Sequence, residues 1–219
     1  MKLLSVNVGL PREVSWQGKL VTTGIFKEPV NGRVFLRKLN LDGDGQADLR
    51  VHGGPSKAVY AYPSEHYAYW RTEFPGVELP WGMFGENFTT EGLLEDSVYI
   101  GDHFGIGEAE VMVTEPRMPC YKLGLKFRDP GLIKQFLASR RTGFYFAVVR
   151  EGTVGAGDSF QLIGREQPDT SVADVTRLYA FDRVDMKSLQ RALAVEALPE
   201  SWKNYFRHQL EKQRASDDQ

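Results

Sequence analysis

The stretch DSVYIGDHFGIGEAEVMVTEPRMPCYKLG, residues 96–124, decides how this chain is read. It opens on two short runs rich in Val, Ile, Tyr and Phe, at 96–107 and 109–116, each punctuated by Gly or Pro in the manner of strands joined by tight turns. It ends on Cys120, the only cysteine among 219 residues, set between Arg117 and Lys122. Positive charge lowers a thiol's pKa from about 8.5 towards neutrality, and the thiolate is the form that attacks electrophiles or binds soft metals. A single cysteine also serves as a small buried hydrophobe. Pro116 and Pro119, however, make this segment a rigid connector unsuited to the middle of a strand or helix, which predicts the sulfur on a loop.

Similar runs extend outward on both sides. MKLLSVNV at the amino terminus, GRVFLRKLNL (32–41), KAVYAYP (57–63) and YFAVVREGTVGAGDSFQLI (145–163) all read as strands. Many short strands without regular intervening helices predict a closed or nearly closed barrel rather than a doubly wound sheet. Two helices are expected to interrupt them. One follows Pro63, with Ser64 as N-cap and Pro75 as its stop; the other has Asp129 as N-cap, Pro130 at its first position and Gly143 beyond its end. Arg140 and Arg141 in that second helix's last turn complement the helix dipole or reach an anionic ligand. All 22 glycines lie at or before Gly164, and beyond it the apolar period becomes helical. Ser171 with Asp174 resembles a capping box, Met186, Leu189 and Leu193 share a face, and Pro199 opens a segment carrying Trp202, Tyr205, Phe206 and Leu210. The expected organisation is an α+β, mainly β chain: a barrel domain over 1–165 and a three-helix module over 166–219.

Composition narrows the function. A hydrophobic fraction of 42% supports a real core, and a net charge of −2 gives no general footprint for nucleic acid or membrane. Residues 169–219 carry eight Lys or Arg against nine Asp or Glu, so a helix-turn-helix reading of the tail lacks phosphate contacts. One cysteine fits a reducing cytoplasm, and no apolar run approaches a membrane span. LDGDGQADLRVHGG starts like a calcium loop but has Ala47 and Gly53 where glycine and glutamate are needed. HExxH, Walker and GxGxxG patterns are absent, and one cysteine cannot hold an iron–sulfur cluster.

The strings GIFKEPVNGRVFLRKLNLDGDGQADLRVHGGPSKAVYAYPSEHYAYW (24–70), GMFGENFTTEGLLEDSVYIGD (82–102) and EPRMPCYKL (115–123) closely resemble the MOSC domain, the family named for the carboxy-terminal domain of molybdenum cofactor sulfurase. The order HGG, GEN, PR-x-PC is specific, and the helical tail makes the chain similar to the hydroxylaminopurine-resistance, YiiM-type branch. The resemblance implies a β-barrel that binds the molybdenum cofactor, with Cys120 as the protein ligand to molybdenum. It also implies two-electron reduction of N-hydroxylated compounds, such as 6-N-hydroxylaminopurine to adenine, a detoxification of base analogues.

Molybdopterin carries an anionic phosphate and a dithiolene, so its pocket needs cations and hydrogen-bond donors beside a soft thiolate. Arg117 and Lys122 flank the expected ligand, and Lys27, Asn87 and Arg141 are further candidates for holding the cofactor. His52, at the head of HGG, is the expected general acid because imidazole titrates near neutral pH. Lacking a dinucleotide fingerprint, the chain is expected to draw electrons from a separate flavin or iron–sulfur reductase. The apolar tail packs on its own barrel or exchanges in a homodimer. Two other readings use the same residues: a carrier of cofactor or sulfur on Cys120, and a Cys120–His52 hydrolase.

Overall fold

The computed structural model describes residues 1–48, 53–165 and 169–217, with side chains to 215. Its frame is one curled, mixed sheet of eight strands. The first four of these in chain order are β1 (Lys2–Val8), β4 (Glu28–Pro29), β6 (Val59–Pro63) and β7 (Phe88–Glu91). The remaining four are β8 (His103–Ile106), β9 (Ala109–Pro116), β10 (Phe144–Arg150) and β12 (Gln161–Gly164). They lie in the order β12-β8-β9-β10-β6-β7-β1-β4, antiparallel except for β6 beside β7. The connection leading into β12 returns to β1: Leu3 N donates to Asp158 O at 2.9 Å and Phe160 N to Met1 O at 3.1 Å. Those bonds bend the sheet into a half-barrel around Phe88, Phe104, Phe144, Phe146 and Phe160, all buried. Two further pairs flank it: β5 (Arg33–Leu36) with β11 (Gly152–Gly155), and the hairpin of β2 (Arg12–Trp16) and β3 (Lys19–Thr23). Gln17 and Gly18 turn that hairpin at positive φ, the geometry that matches strand twist.

The 96–107 run contributes only four residues of strand. Asp102 accepts from Tyr99 N at 3.0 Å and folds 99–102 into a turn, and its carboxylate pairs with Arg165 at 2.6 Å. A local side-chain bond thereby displaces the ladder that the apolar pattern implies.

Three helices cover one side of the sheet: α1 (Glu65–Glu73), α2 (Tyr121–Phe127) and α3 (Leu132–Ser139). With β6 they enclose a second, aromatic core of Tyr62, Tyr67, Trp70, Phe84 and Phe136. Helix α2 is unforeseen, because the prolines before it and Gly124 within it read as loop; Gly124 is there because a Cβ would meet Asp129 O at 2.8 Å. Helix α3 begins two residues later than expected. Asp129 Oδ1 accepts from Gly131 N at 2.8 Å in a local turn, which leaves Gly131, not Asp129, as the N-cap. Gly143 is not a helix terminator either; Arg140, at φ 60°, ends α3. Gly143 instead leads into β10, at a point where a Cβ would lie 2.4 Å from Ala61 O.

The carboxy-terminal helices are α4 (Val172–Ala180), α5 (Met186–Ala194) and α6 (Glu200–Asp217). Ser171 and Asp174 form the full capping box on α4. Val172, Val175, Leu178, Leu189, Ala192, Trp202, Phe206 and Leu210 join the barrel's own apolar cluster, so the module packs on its own barrel and shares its core. Each such buried Val, Leu or Phe contributes roughly 1.5–3 kcal/mol. Among the described residues, no helix is long and apolar enough to cross a membrane.

Candidate functional site

The end of β9 sets the geometry. Pro116 pairs with Phe144 on β10, and Arg117 N then donates to Gly143 O at 3.1 Å, after which the chain leaves the sheet. Cys120 follows in extended conformation (φ −124°, ψ 168°) as the residue capping α2, half-buried rather than sealed in the core. It lines an open cleft bounded by Thr23, Gly24, Lys27, Tyr60, Asn87 and Arg117, among others. A second, larger cleft opens on the other side of Cys120 towards the helical module.

Four cations line the first cavity: Lys27, Lys57, Arg117 and Lys122. Lys27 is committed to Asp44 in a buried ion pair, braced by bonds of 3.3 Å to Gly9 O and Gly45 O. Burial pulls the Lys27 pKa below its ordinary value against the raising effect of Asp44. Asp44 also accepts from Gly9 N at 2.9 Å and from Asn87 Nδ2 at 2.9 Å, while Asn87 Oδ1 accepts from Tyr60 N at 3.2 Å. These groups form a closed polar network that ties the loop before β4, the loop after β5 and the residue leading into β7 into one wall. Lys57 reaches Glu115 at 3.6 Å.

Arg117 differs. It is 5% exposed, its guanidinium lies 5.2 Å over Tyr60 and 5.1 Å over Phe136, and among the described residues its Nη1 has no hydrogen-bond partner. Burial lowers the tendency of this group to stay charged, but Tyr60, Tyr145 and Cys120 together outweigh it and its pKa ends above the ordinary value. Tyr145, pushed up to about 12 by burial against the pull of Arg117, keeps its proton and remains a hydrogen-bond donor on the same wall. A buried cationic donor without a partner is costly, by roughly 1–3 kcal/mol, unless an anion completes it. The donor set therefore fits a group that is anionic at one end and thiophilic at the other: Arg117 and Lys122 for the anion, Cys120 for a soft metal. Among the described residues no three His, Cys, Asp or Glu side chains converge on a metal site of their own.

A family model described as "MOSC domain" matches residues 48–161, and one described as "YiiM-like, 3-alpha helix domain" matches 171–213. The chain belongs to the MOSC-domain family. It is 43% identical over 204 residues to "Uncharacterized protein YflK" of Bacillus subtilis, covering 93% of this chain and 92% of that one. The crystal structure of YiiM from Geobacillus stearothermophilus superposes with a TM-score of 0.80 at 34% identity, covering 95% of this chain and 98% of that one. A protein named "Reductase" from Gibberella moniliformis is 33% identical over 190 residues, which are 85% of this chain but only 34% of that longer one.

The MOSC motif strings converge on this cavity in different ways. In GEN, Gly85 (φ 85°) lines the wall where a Cβ would meet Ile25 Cγ1 at 2.7 Å, and Asn87 anchors the polar network. Glu86 between them is fully buried; its carboxylate accepts from Gly82 N at 2.8 Å, Phe84 N at 3.0 Å and the Tyr67 hydroxyl, fixing the loop. In HGG, Gly54 (φ 94°) turns the chain into a 3-10 turn at Pro55–Lys57. His52 lies outside the described residues. PR-x-PC supplies Arg117 and Cys120. Of the other sequence-derived candidates, Lys27, Asn87 and Lys122 line the cavity. Arg141 is not among its lining residues; its guanidinium lies 4.1 Å over Tyr69 and donates to Ser139 O at 3.0 Å. Sequence reasoning missed Asp44, Tyr60 and Tyr145. Only Asp44 had a signal, as part of the rejected calcium loop; the tyrosines read as ordinary strand residues.

Proposed function

We propose that this MOSC-family chain is a molybdenum-cofactor-dependent reductase of N-hydroxylated compounds. The observation that carries the reading is Cys120 at the edge of a cationic cavity in which the buried Arg117 Nη1 lacks a partner among the described residues. The cofactor, when bound, would supply the two-electron redox centre that this reduction needs. Cys120 would hold its metal through sulfur, while Arg117 and Lys122 meet its phosphate. Tyr60 and Phe136 pack against the Arg117 guanidinium, and the Lys27–Asp44–Asn87 network braces the opposite wall.

The overall step is R–NHOH plus two electrons and two protons giving R–NH2 and water, so the N–O bond breaks and the nitrogen is reduced. The electrons come from a separate flavin or iron–sulfur protein, because the chain carries no redox motif of its own. His52 is the assigned proton donor. The name of the Gibberella relative is consistent with reduction, and we place the chain in the cytoplasm on its thiol content. Protein from cofactor-competent cells is expected to contain about one molybdenum per chain and to reduce 6-N-hydroxylaminopurine with a chemical electron donor. Cys120→Ala should abolish turnover and weaken molybdenum retention. Full turnover in that variant would end the reading, and a stable persulfide on Cys120 without turnover would favour the carrier.

A further inference from the structure

The two-proton balance of the reduction leaves one donor unassigned, because His52 accounts for a single proton. The cleft between β9 and the helical module holds a candidate. Glu115, the penultimate residue of β9, is the sole carboxylate among the described residues that line this cleft, which also contains Cys120. It is 3% exposed. Its Oε2 accepts from the Trp202 indole Nε1 at 2.7 Å and lies 3.6 Å from Lys57 Nζ, the one cation of the lining. Ser56 and Lys57 face the carboxyl from the 3-10 turn at Pro55–Lys57, and Tyr145 lines the same cleft from β10. Tyr179 lines it from α4 and Tyr205 from α6, beside Trp202. Burial holds the Glu115 carboxyl above its ordinary pKa, against the pull of Lys57, Trp202 and Ser56.

An anchor for Trp202 needs only a hydrogen-bond acceptor, which an amide side chain provides without the desolvation cost of a buried carboxyl. An acid at this place calls for a chemical reason. Resting on the reductase reading, we propose that Glu115 is the second proton donor of the reduction. As the N–O bond breaks, the carboxyl, the stronger acid of the two donors, protonates the weakly basic departing oxygen, which leaves as water. His52 protonates the more basic nitrogen, and the two electrons arrive from the separate flavin or iron–sulfur protein, so R–NHOH becomes R–NH2. The carboxylate left on Glu115 is met by the Lys57 ammonium and the Trp202 N–H, and the open cleft returns a proton from solvent.

The test uses full-length protein purified from cofactor-competent cells. Infrared titration with isotope-labelled glutamate reads the carboxyl without any turnover: wild type should show a protonated carboxyl band that titrates above pH 4.5 and is missing from Glu115→Gln. With 6-N-hydroxylaminopurine, Glu115→Gln should lose about 100-fold in kcat, the range of a general acid, with KM and molybdenum content unchanged. Trp202→Phe keeps the acid but removes its N–H donor, so the band's midpoint and the fall of kcat with rising pH should move upward together. That variant decides the matter even where Glu115→Gln folds poorly. The inference is overturned if wild type lacks the band, if Glu115→Gln turns over at the wild-type rate, or if Trp202→Phe moves the band and leaves the kcat profile in place. Molybdenum-loaded wild type that fails to turn over sinks the reductase reading and the inference with it, whereas wild-type turnover beside an unimpaired Glu115→Gln sinks the inference alone.

Discussion

Replacing Arg117 by methionine separates a structural arginine from a ligand-holding one. In the folded chain the guanidinium gains two cation–π contacts, with Tyr60 and Phe136, worth about 0.5–2 kcal/mol each, the upper end applying to a desolvated site. Against them stands a buried Nη1 without a partner among the described residues, a penalty of roughly 1–3 kcal/mol. The two effects nearly cancel, so Arg117→Met in cofactor-free protein should unfold in urea within about 1 kcal/mol of wild type. The holo protein should behave otherwise. Loss of a charge-assisted bond to the cofactor's phosphate costs about 1.5–3 kcal/mol, equivalent to about 10- to 150-fold in affinity. Metal analysis and pterin fluorescence on protein from cofactor-competent cells should therefore show strong depletion in the variant. A drop of more than about 3 kcal/mol in cofactor-free stability, with pterin content unchanged, would show that Arg117 supports the fold instead.

Asp44→Ala strands the Lys27 ammonium in a buried wall and should lower stability by about 3–5 kcal/mol in urea unfolding; a loss under 1 kcal/mol would mean the pair is solvated in solution. Burial lowers the pKa of Lys126 to about 8 from 10.5, so between those values the unfolded chain binds a proton the folded one does not, and stability rises with pH. Lys126→Met should flatten that rise, which has a ceiling of about 3 kcal/mol and is cut to roughly 1–2 by the side chain's partial exposure; identical pH profiles in both proteins would contradict the shift. His52→Gln should slow turnover by roughly 100-fold or more with unchanged molybdenum content, the range expected for loss of a general acid. Wild-type rates across the pH range would remove His52 from proton delivery.

Much of the frame was legible along the chain because its signals are local. The AEVMVTEP run is a strand over its whole length, and the capping box at Ser171 starts α4. The order of HGG, GEN and PR-x-PC identified the family before any contact was known. Local signals misled where a side chain turned back on its own backbone, as Asp102 and Asp129 do, or where a glycine served a distant carbonyl, as Gly124 and Gly143 do. Residue type alone made Cys120 a candidate. Only the tertiary structure could set Arg117 between Tyr60 and Phe136 with a donor left over, commit Lys27 to Asp44, turn Arg141 towards Tyr69, and bring Trp202 to Glu115 across 87 positions of chain. Charge and polarity are properties of a residue, whereas desolvation and pairing are properties of its neighbours, and those neighbours are assembled by the curl of the sheet and the docking of the helical module.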